Sequence, residues 1–397
     1  MSAPQPGALM AAEIAEQPAA LARLLEDSEQ VREAAGRIRR AAPRFLLAAA
    51  RGTSDHAALY AKYLAEIRLG LPAGLASPSS MTVYGSRPNL AEVLFLAVSQ
   101  SGGSPDLVDS TAAARECGAL TVAVTNAPDS ALAAAAEIHV DIRAGTERAV
   151  AATKTYTAEL LALYLLLSGE RPPAGALPDA AARTLAFTAP EQVAARYAGV
   201  DRLVVTGRGY SYPSAREAAL KLMETSYLSA QAFSGADLLH GPLAMIDADV
   251  PVIAITSPGR GGAAMMPVVE RLRDNGAAVL QVGPADGLPL STDGIAEELL
   301  PILEILPLQR LALRLALEEP NPADSFRVLW EQVLEDLIVG GFGAVEMEAT
   351  GDPARPFHLW AVDGATIRID SRWDGDPARP RYAQAAAQAG SSESLIG

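Results

Sequence analysis

Hydroxyl-bearing residues and glycines are concentrated in the segment Ser99–Asp106, which reads SQSGGSPD. The segment follows an apolar run typical of a buried strand, and Ser104 and Pro105 suit the N-cap and the first position of a helix. Hydroxyls, glycines that allow close backbone approach, and unpaired amides at a helix N-terminus form a cradle for an anion. The alternative is an ordinary capped turn. Thr53 and Ser54 follow an earlier apolar run, would face the same edge, and favour a phosphate as the anion.

Three ionisable residues recur at helical spacing in the segment REAALKLMET. Glu217, Lys221 and Glu224 are four and three residues apart, which places their side chains on one face of a helix. Such a group is often no more than a solvated ion pair. Of the 32 basic residues in the chain, however, only Lys62, Lys154 and Lys221 are lysines. A carboxylate beside Lys221 in a partly dry cleft could act as a proton-transferring base.

A histidine precedes a Gly-Pro pair in the segment DLLHGPLAMI. This residue, His240, is one of four scattered histidines, and the chain has a single cysteine, Cys117, so the spacing of metal ligands is absent. His240 therefore suits a general acid or base at a turn, the alternative being a surface or structural histidine. A further polar run, GTERAVAATKTYT at 145–157, indicates only the start of a helix.

The charge of the chain limits its partners. It has 397 residues, of which 32 are basic and 47 acidic, and a formal net charge of −15, which argues against nucleic-acid and anionic-membrane partners.

One cysteine excludes an internal disulfide framework, and no apolar run reaches the roughly 18 residues that span a bilayer. The first seventeen residues contain no Lys or Arg, so a secretory signal is not expected. We expect a cytoplasmic protein.

Three pairs of similar segments recur at a nearly constant offset. FLLAAARGTS from Phe45 matches RLVVTGRGYS from Arg202, with the Arg-Gly pairs 157 residues apart. VLFLAVSQSGG from Val93 matches VPVIAITSPGRGG from Val250, and GALTVAV from Gly118 matches GAAVLQV 158 residues later. These matches predict an internal duplication.

Each half alternates continuous apolar runs with alanine-rich helical patterns, which is typical of parallel strands covered on both faces. The pattern predicts an α/β fold of two tandem, doubly wound parallel sheets. Ligands in such sheets bind beyond the carboxyl ends of the strands, so the loops after residues 50, 98, 206 and 256 form the predicted binding edge.

The length is too great for one hydrophobic core, which stops growing near roughly 250–300 residues. Composition shifts after residue 320, where all three tryptophans lie and where a hairpin is predicted around Asp363 and Gly364. The predicted organisation is a helical lead-in at 1–29, a first domain at 30–168, a second domain at 195–318, and an atypical C-terminal extension of unassigned role at 319–397.

In order along residues 10–318, several segments together resemble the sugar isomerase (SIS) superfamily. The closest resemblance is to the isomerase half of glucosamine-6-phosphate synthase and to stand-alone glucosamine-6-phosphate deaminases. The segments are EIAEQP (13–18), RGTS (51–54), SQSGGSPD (99–106), GTERAVAATKTYT (145–157), GRG (207–209), EAALKLMETSY (217–227) and DLLHGPLAMIDAD (237–249).

The resemblance implies flavodoxin-like SIS domains and a role for each matched residue. Glu224 would move a proton between C1 and C2 of the sugar, supported by Lys221 and Glu217, while His240 would assist ring opening across a homodimer interface. Thr53 and Val150 would line the sugar. The implied ligand is a phosphorylated amino sugar or ketose, and the family uses no metal and no organic cofactor. The residues implied to hold its phosphate are Ser54, Ser99, Gln100, Ser101 and Ser104.

The chain departs from the synthase in three places. Residue 2 is serine where the synthase has the cysteine nucleophile of its glutaminase at the mature start, so glutamine is not the expected ammonia source. Gly103 replaces an acidic residue, as in the deaminase type. No lysine follows Lys221, although the synthase carries a Schiff-base lysine in its tail.

The sequence therefore predicts conversion of glucosamine 6-phosphate into fructose 6-phosphate and ammonia. Two alternatives stay open: a synthase-like aminotransferase that takes ammonia from a separate glutaminase, and a non-catalytic sugar-phosphate sensor.

Overall fold

A computed structural model describes residues 6–168, 174–197, 200–283 and 286–317, together with the backbone of five strands farther along the chain. The chain divides into two compact units, Met1–Leu315 and Ala316–Gly397.

The first unit contains two parallel sheets. The first sheet has the order β2-β1-β3-β4-β5, the flavodoxin-like order, and the second has the order β10-β9-β8-β6-β7. When the strands of each sheet are numbered in chain order, both sheets have the order 2-1-3-4-5. The prediction of two doubly wound parallel sheets is confirmed. The strands are β1 (Phe45–Ala49), β2 (Ala73–Leu75), β3 (Val93–Ser99), β4 (Leu120–Thr125), β5 (Ile138–Asp141), β6 (Arg202–Gly207), β7 (Ser229–Ser234), β8 (Val252–Ile255), β9 (Val279–Gly283) and β10 (Leu288–Pro289).

Helices cover these sheets. They are α1 (Ala8–Glu26), α2 (Glu29–Ala41), α3 (Thr53–Arg68), α4 (Pro78–Thr82), α5 (Pro105–Glu116), α6 (Ala131–Ala135), α7 (Lys154–Leu167), α8 (Leu177–Leu185), α9 (Ala189–Ala194), α10 (Ser211–Ser226), α11 (Gly235–Leu238), α12 (Arg260–Asp274) and α13 (Leu300–Leu317), with 3-10 turns at Pro242–Met245 and Glu297–Leu299. No helix within the described ranges is both long enough and apolar enough to cross a bilayer.

The two sheets share one hydrophobic core. Its largest cluster contains Leu96 of the first sheet, Val205 of the second, and side chains of α7 and α13. Every residue of α7 is buried, which explains why the sequence TYTAELLALYLLL is apolar around the whole helix rather than along one stripe.

Polar side chains inside this core join α1 to α7 and α13. Gln17 is fully buried, its Nε2 donates to Gln309 Oε1 at 2.8 Å, and its Oε1 accepts from Thr157 Oγ1 at 2.9 Å. Gln309 Nε2 in turn donates to the carbonyl of Thr153 at 3.3 Å. The predicted lead-in therefore contains a helix that belongs to the core.

The second unit has antiparallel strands. Strand β11 (Ala344–Asp352) pairs with β12 (Arg355–Val362), and β13 (Ile367–Ile369), β14 (Tyr382–Gln384) and β15 (Ser394–Ile396) form a separate sheet. The prediction of a hairpin around Asp363 and Gly364 is wrong, because the chain before these residues pairs with β11 and the chain after them pairs with β14. Residues 363–366 themselves lie outside the described residues.

Replacing Gln17 by alanine should lower the free energy of unfolding by on the order of 2 kcal/mol, because Gln309 and Thr157 would lose buried hydrogen bonds. Denaturant unfolding measures this change. The control is Gln192→Ala, at an exposed helix position, for which a change below about 0.5 kcal/mol is expected. Equal effects of the two substitutions would contradict the structural role of the buried glutamine.

Candidate active site

Two loops that contain predicted phosphate-binding residues lie side by side at the carboxyl edge of the first sheet. Strands β1 and β3 are parallel neighbours, with Ala49 paired to Ala97, so the loops that follow them meet. Arg51 of the first loop forms an ion pair with Asp106 in the first turn of α5. Asp106 also accepts from Thr82 Oγ1 at 2.6 Å. The loop after β1 is thus joined by an ion pair to the first turn of α5, the helix that follows the loop after β3.

The SQSGGSPD segment turns tightly into α5. Gly102 has φ +60°, and its amide donates to Ser99 Oγ at 3.2 Å, while the amide of Gly103 donates to Ser101 Oγ at 3.3 Å. The helix begins at Pro105 with Ser104 at the N-cap, as predicted, but the Ser104 side chain makes no capping hydrogen bond. Pro105 has no amide hydrogen, and the amide of Leu107 donates to the Ser104 carbonyl at 3.1 Å. The Ser104 hydroxyl and the Asp106 amide are therefore the groups at this helix start that an anion could bind.

Glu217, Lys221 and Glu224 lie on one face of α10 and contact the first loop. Lys221 Nζ is 2.5 Å from Glu224 Oε2, 3.4 Å from Glu217 Oε1 and 3.1 Å from Thr53 Oγ1. The Lys221 and Glu217 side chains are buried, whereas that of Glu224 is 36% exposed. The structure thus brings Thr53 to Glu217 and Lys221, and Lys221 in turn holds Glu224. Of these three predicted residues of α10, only Glu224 is exposed to solvent.

Glu217 is the anchor of this group. One carboxylate oxygen accepts from Thr53 Oγ1 at 3.2 Å, and the other is 2.8 Å from His56 Nδ1, which is also buried. His56 was not among the predicted site residues. It lies three residues after Thr53 on α3, so helical spacing could have placed both on the same face.

Lys221 remains a cation in this setting. Burial by itself lowers the pKa of Lys221, but the adjacent carboxylates of Glu217 and Glu224 outweigh it and raise that pKa above its ordinary value. The ammonium therefore balances the buried charge of Glu217 and holds Glu224 in place. The arrangement supplies a fixed carboxylate, next to a permanent positive charge, for proton transfer.

Ser54 is oriented differently from the other predicted phosphate ligands. It is 5% exposed, and its hydroxyl donates to Glu159 Oε1 of α7 at 2.8 Å. Burial raises the pKa of Glu159 to about 8, although the hydrogen bond from Ser54 works in the opposite direction. Glu159 was not a predicted site residue; its signal in the sequence is a single acidic residue inside the apolar run TYTAELLALYLLL.

The loop that precedes α7 holds Val150 at the surface, where its side chain is 69% exposed. Glu147 accepts from the amides of Thr153 and Thr155 at 2.8 and 3.3 Å and so anchors the start of α7. Glu13 of α1 accepts from the amide of Ala149 at 3.1 Å. The polar residues of GTERAVAATKTYT therefore position the loop that exposes Val150.

His240 lies apart from the α10 group. It follows α11 at an exposed turn, and its amide donates to the carbonyl of Asp237 at 2.9 Å. Within the described residues no hydrogen bond or ion pair joins its ring to Glu224, so its predicted role in ring opening stays a prediction.

In the same ranges, no three His, Cys, Asp or Glu side chains come together in a way that could hold a metal ion.

An open cavity of about 450 Å³ lies where α3 meets α10. Its polar lining comes from Arg51, Asp55, His56 and Arg216. Arg51 and Arg216 bring two positive charges to this cavity beside the Thr53 loop, and Arg216 is 3.9 Å from the carboxylate of Asp55 in the same lining.

Comparison with known families and sequences gives consistent matches. The family model described as SIS domain matches residues 41–169 and 197–294. Glutamine–fructose-6-phosphate aminotransferase (isomerizing) from Gloeobacter violaceus is 35% identical over 363 residues, and the match covers 82% of this chain and 58% of that protein. The enzyme of the same name from Methanothermobacter thermautotrophicus is 33% identical, covering 69% and 49%. The chain thus spans about half the length of the curated relatives that it matches.

Solved structures show the same architecture. A protein described as a candidate phosphosugar isomerase from Silicibacter pomeroyi is 33% identical, with a TM-score of 0.69 over 78% of this chain and 97% of that chain. Glucosamine-6-phosphate deaminase from Thermotoga maritima shares the fold at 20% identity, with a TM-score of 0.64 over 78% and 94%.

Replacing Gly102 by alanine should deform the SQSGGSPD turn, because φ is +60° and a Cβ would lie 2.2 Å from Ser130 Oγ. We expect a loss of about 2 kcal/mol in the free energy of unfolding, measured in denaturant. The control is Gly103→Ala, where the nearest atom to a Cβ is Ser101 Oγ at 3.7 Å. A loss as large for the control would contradict a special requirement at Gly102.

Proposed function

Because this chain belongs to the SIS domain family, we propose that it binds a phosphorylated sugar at the carboxyl edge of the first sheet and catalyses an aldose–ketose conversion there. The specific reaction that we propose is conversion of glucosamine 6-phosphate and water into fructose 6-phosphate and ammonia. The enzyme would act as a homodimer in the cytoplasm.

One observation carries this proposal: Lys221 bridges the carboxylate of Glu224 and the hydroxyl of Thr53, so a group that can accept a proton is held beside the Thr53 loop. Glu224 Oε2 is 2.5 Å from Lys221 Nζ, which is 3.1 Å from Thr53 Oγ1. The loop is joined through the ion pair of Arg51 and Asp106 to the helix start that follows Ser99–Ser104. Proton abstraction beside the carbonyl of an anionic sugar needs both groups within one substrate length.

The phosphate would be held by uncharged donors. The donors that we propose, none of them a lysine or arginine side chain, are the Asp106 amide and the side chains of Ser54, Ser99, Gln100, Ser101 and Ser104. Thr53 and the exposed Val150 would lie along the sugar.

Glu224 would then carry the chemistry. In the open-chain aminoaldose, Glu224 removes the proton from C2 and returns it to C1, which converts the substrate into a C2 imine. Water hydrolyses the imine, so that ammonia leaves and the ketose remains. Lys221 and Glu217 would keep the carboxylate oriented. His240 of a second subunit would assist ring opening, since within the described part of one chain no hydrogen bond or ion pair joins its ring to Glu224.

A synthase-like aminotransferase is the second candidate. It is favoured by the name of the relatives from Gloeobacter violaceus and Methanothermobacter thermautotrophicus, of which this chain covers about half. In that reaction ammonia from a separate glutaminase would add to the C2 carbonyl of fructose 6-phosphate, and water would leave to give a C2 imine. The same carboxylate would then move the proton from C1 to C2.

Purified protein incubated with glucosamine 6-phosphate should release ammonia and fructose 6-phosphate in equal amounts, measured by coupled assays. Formation of glucosamine 6-phosphate from fructose 6-phosphate and ammonium, without measurable release in the other direction, would favour the aminotransferase. Ligand-induced stabilisation without turnover in either direction would overturn both enzyme proposals and favour a sensor.

Glu224→Gln should lower turnover by about 10²–10⁴-fold and leave binding of the phosphorylated sugar within a few fold, because the amide keeps the shape of the carboxylate but cannot accept the proton. Steady-state kinetics and calorimetric titration separate the two effects. Glu116→Gln, at an exposed position of α5, is the control and should keep full activity. Full activity of the Glu224 variant would exclude it as the base.

A further inference from the structure

Ser54 is a phosphate ligand in the proposed site, yet its only hydroxyl hydrogen is directed at a carboxyl group. Ser54 Oγ donates to Glu159 Oε1 at 2.8 Å, and the two residues are 5% and 0% exposed. A serine hydroxyl has one hydrogen, so it cannot donate to an ionised Glu159 and to a phosphate at the same time. The protonation of Glu159 therefore decides what Ser54 can bind.

The surroundings of Glu159 disfavour its charged form. Its second oxygen, Oε2, is buried and has no hydrogen-bond partner among the described residues. The charges that face it are the carboxylates of Glu147 before α7 and Glu217 on α10. The other titratable neighbour is the buried phenol of Tyr156 on its own helix. The charged groups of α1 nearest to α7, Glu13 and Glu16, are paired with Lys154. Burial raises the pKa of Glu159 to about 8, so it is mostly neutral at pH 7.

The second sheet has an equivalent serine–glutamate pair, but the loop beside that pair is closed. Ser211 occupies the position of Ser54 in the matching Arg-Gly segment, and its hydroxyl donates to the fully buried Glu304 of α13 at 2.8 Å. Burial raises the pKa of Glu304, and the hydroxyls of Ser257, Ser211 and Ser214 work in the opposite direction. The loop after β8, which corresponds to SQSGGSPD, is filled by the chain itself, because Glu297 Oε1 accepts from the amide of Gly261 at 2.8 Å. This second pair therefore offers an internal control.

We propose that Glu159 is a positioning residue for phosphate binding: in its neutral form it donates to Ser54 Oγ, and the Ser54 hydrogen then turns to a phosphate oxygen. This assignment rests on the proposed function. It adds to the residues that touch the phosphate a residue behind them, Glu159, which sets the direction in which the Ser54 hydroxyl donates. When Glu159 is ionised, it accepts the Ser54 hydrogen and adds a negative charge behind the phosphate site. Binding above the pKa of Glu159 then requires uptake of one proton.

The pH dependence of ligand affinity follows from this proton uptake. Below pH 8 the dissociation constant of fructose 6-phosphate should not depend on Glu159, and above it the constant should rise by up to about tenfold per pH unit. The second ionisation of the ligand phosphate, with a pKa of about 6, is nearly complete by pH 7.5 and does not produce this slope.

The test is calorimetric titration of the full chain with fructose 6-phosphate between pH 7 and 10, with fructose as the control that lacks the phosphate. Glu159→Gln should bind within about threefold of the wild type at pH 7.5 and lose the alkaline slope, because the amide donates to Ser54 at every pH. Ser54→Ala should weaken binding at pH 7.5 by about tenfold or more and show a smaller slope, because only the repulsion between ionised Glu159 and the phosphate then remains. Glu304→Gln should keep both the affinity and the slope.

Thermal unfolding at each pH separates loss of binding from loss of the fold. The pKa of Glu159 is about 8 in the folded protein against an ordinary value of 4.5, so its stabilising contribution is complete below pH 4.5, falls as pH rises from there to 8, and no longer changes above pH 8. Measured from pH 5 to 10, the Tm of Glu159→Gln should therefore decline less than that of the wild type between pH 5 and 8.

Three results would overturn the role of Glu159 alone. They are wild-type affinity that stays constant to pH 10, a Glu159→Gln variant as weak at pH 7.5 as Ser54→Ala, and loss of the slope in Glu304→Gln. If the wild type does not bind fructose 6-phosphate at pH 7.5, the proposed function itself fails and this assignment fails with it.

Discussion

The buried ion pair between Glu217 and Lys221 is the interaction on which the site depends. Both side chains are almost fully excluded from water, where an unpaired charge is strongly destabilising. Each therefore needs a complete set of partners, and the partners of Glu217 include Thr53 and His56 on α3, a helix of the other sheet. Satisfying the charges of α10 thus fixes its position against α3. The Glu224 carboxylate is held beside the first loop as a consequence of that requirement.

The two sheets use equivalent loops in opposite ways. The loop after β3 is open: Ser104 does not cap its own helix, and the side chain of Ser101 is exposed. The loop after β8 is closed, because Glu297 accepts from the amide of Gly261 and lies where any side chain at Gly259 would collide with it. The carboxylate of Glu297 thus lies at the position of the second sheet that corresponds to the proposed anion site of the first. One loop has become a structural contact, and the equivalent loop carries the proposed site.

Local patterns predict the elements better than they predict the contacts between them. Apolar runs followed by glycine and hydroxyl residues located the loops after β1 and β3, Ser104 and Pro105 marked the start of α5, and the spacing of Glu217, Lys221 and Glu224 gave their common face. The contacts of His56 and Glu159 join residues more than 100 positions apart, so no local pattern contains them. The prediction of a hairpin around Asp363 was wrong because the strands on its two sides do not pair with each other: β12 pairs with β11, and β13 pairs with β14.

The exposure of the proposed catalytic residues has a physical consequence. Glu224 is 36% exposed and Val150 is 69% exposed, while His240 lies at an exposed turn; the residues that support them, Lys221 and Glu217, are buried. Proton abstraction from carbon is more effective where water is excluded, because electrostatic interactions are stronger there. The described part of one chain therefore provides rigid support but leaves the reacting surface open. Closure by a second subunit, which would also bring His240 to the sugar, is the arrangement that reconciles this exposure with the proposed chemistry.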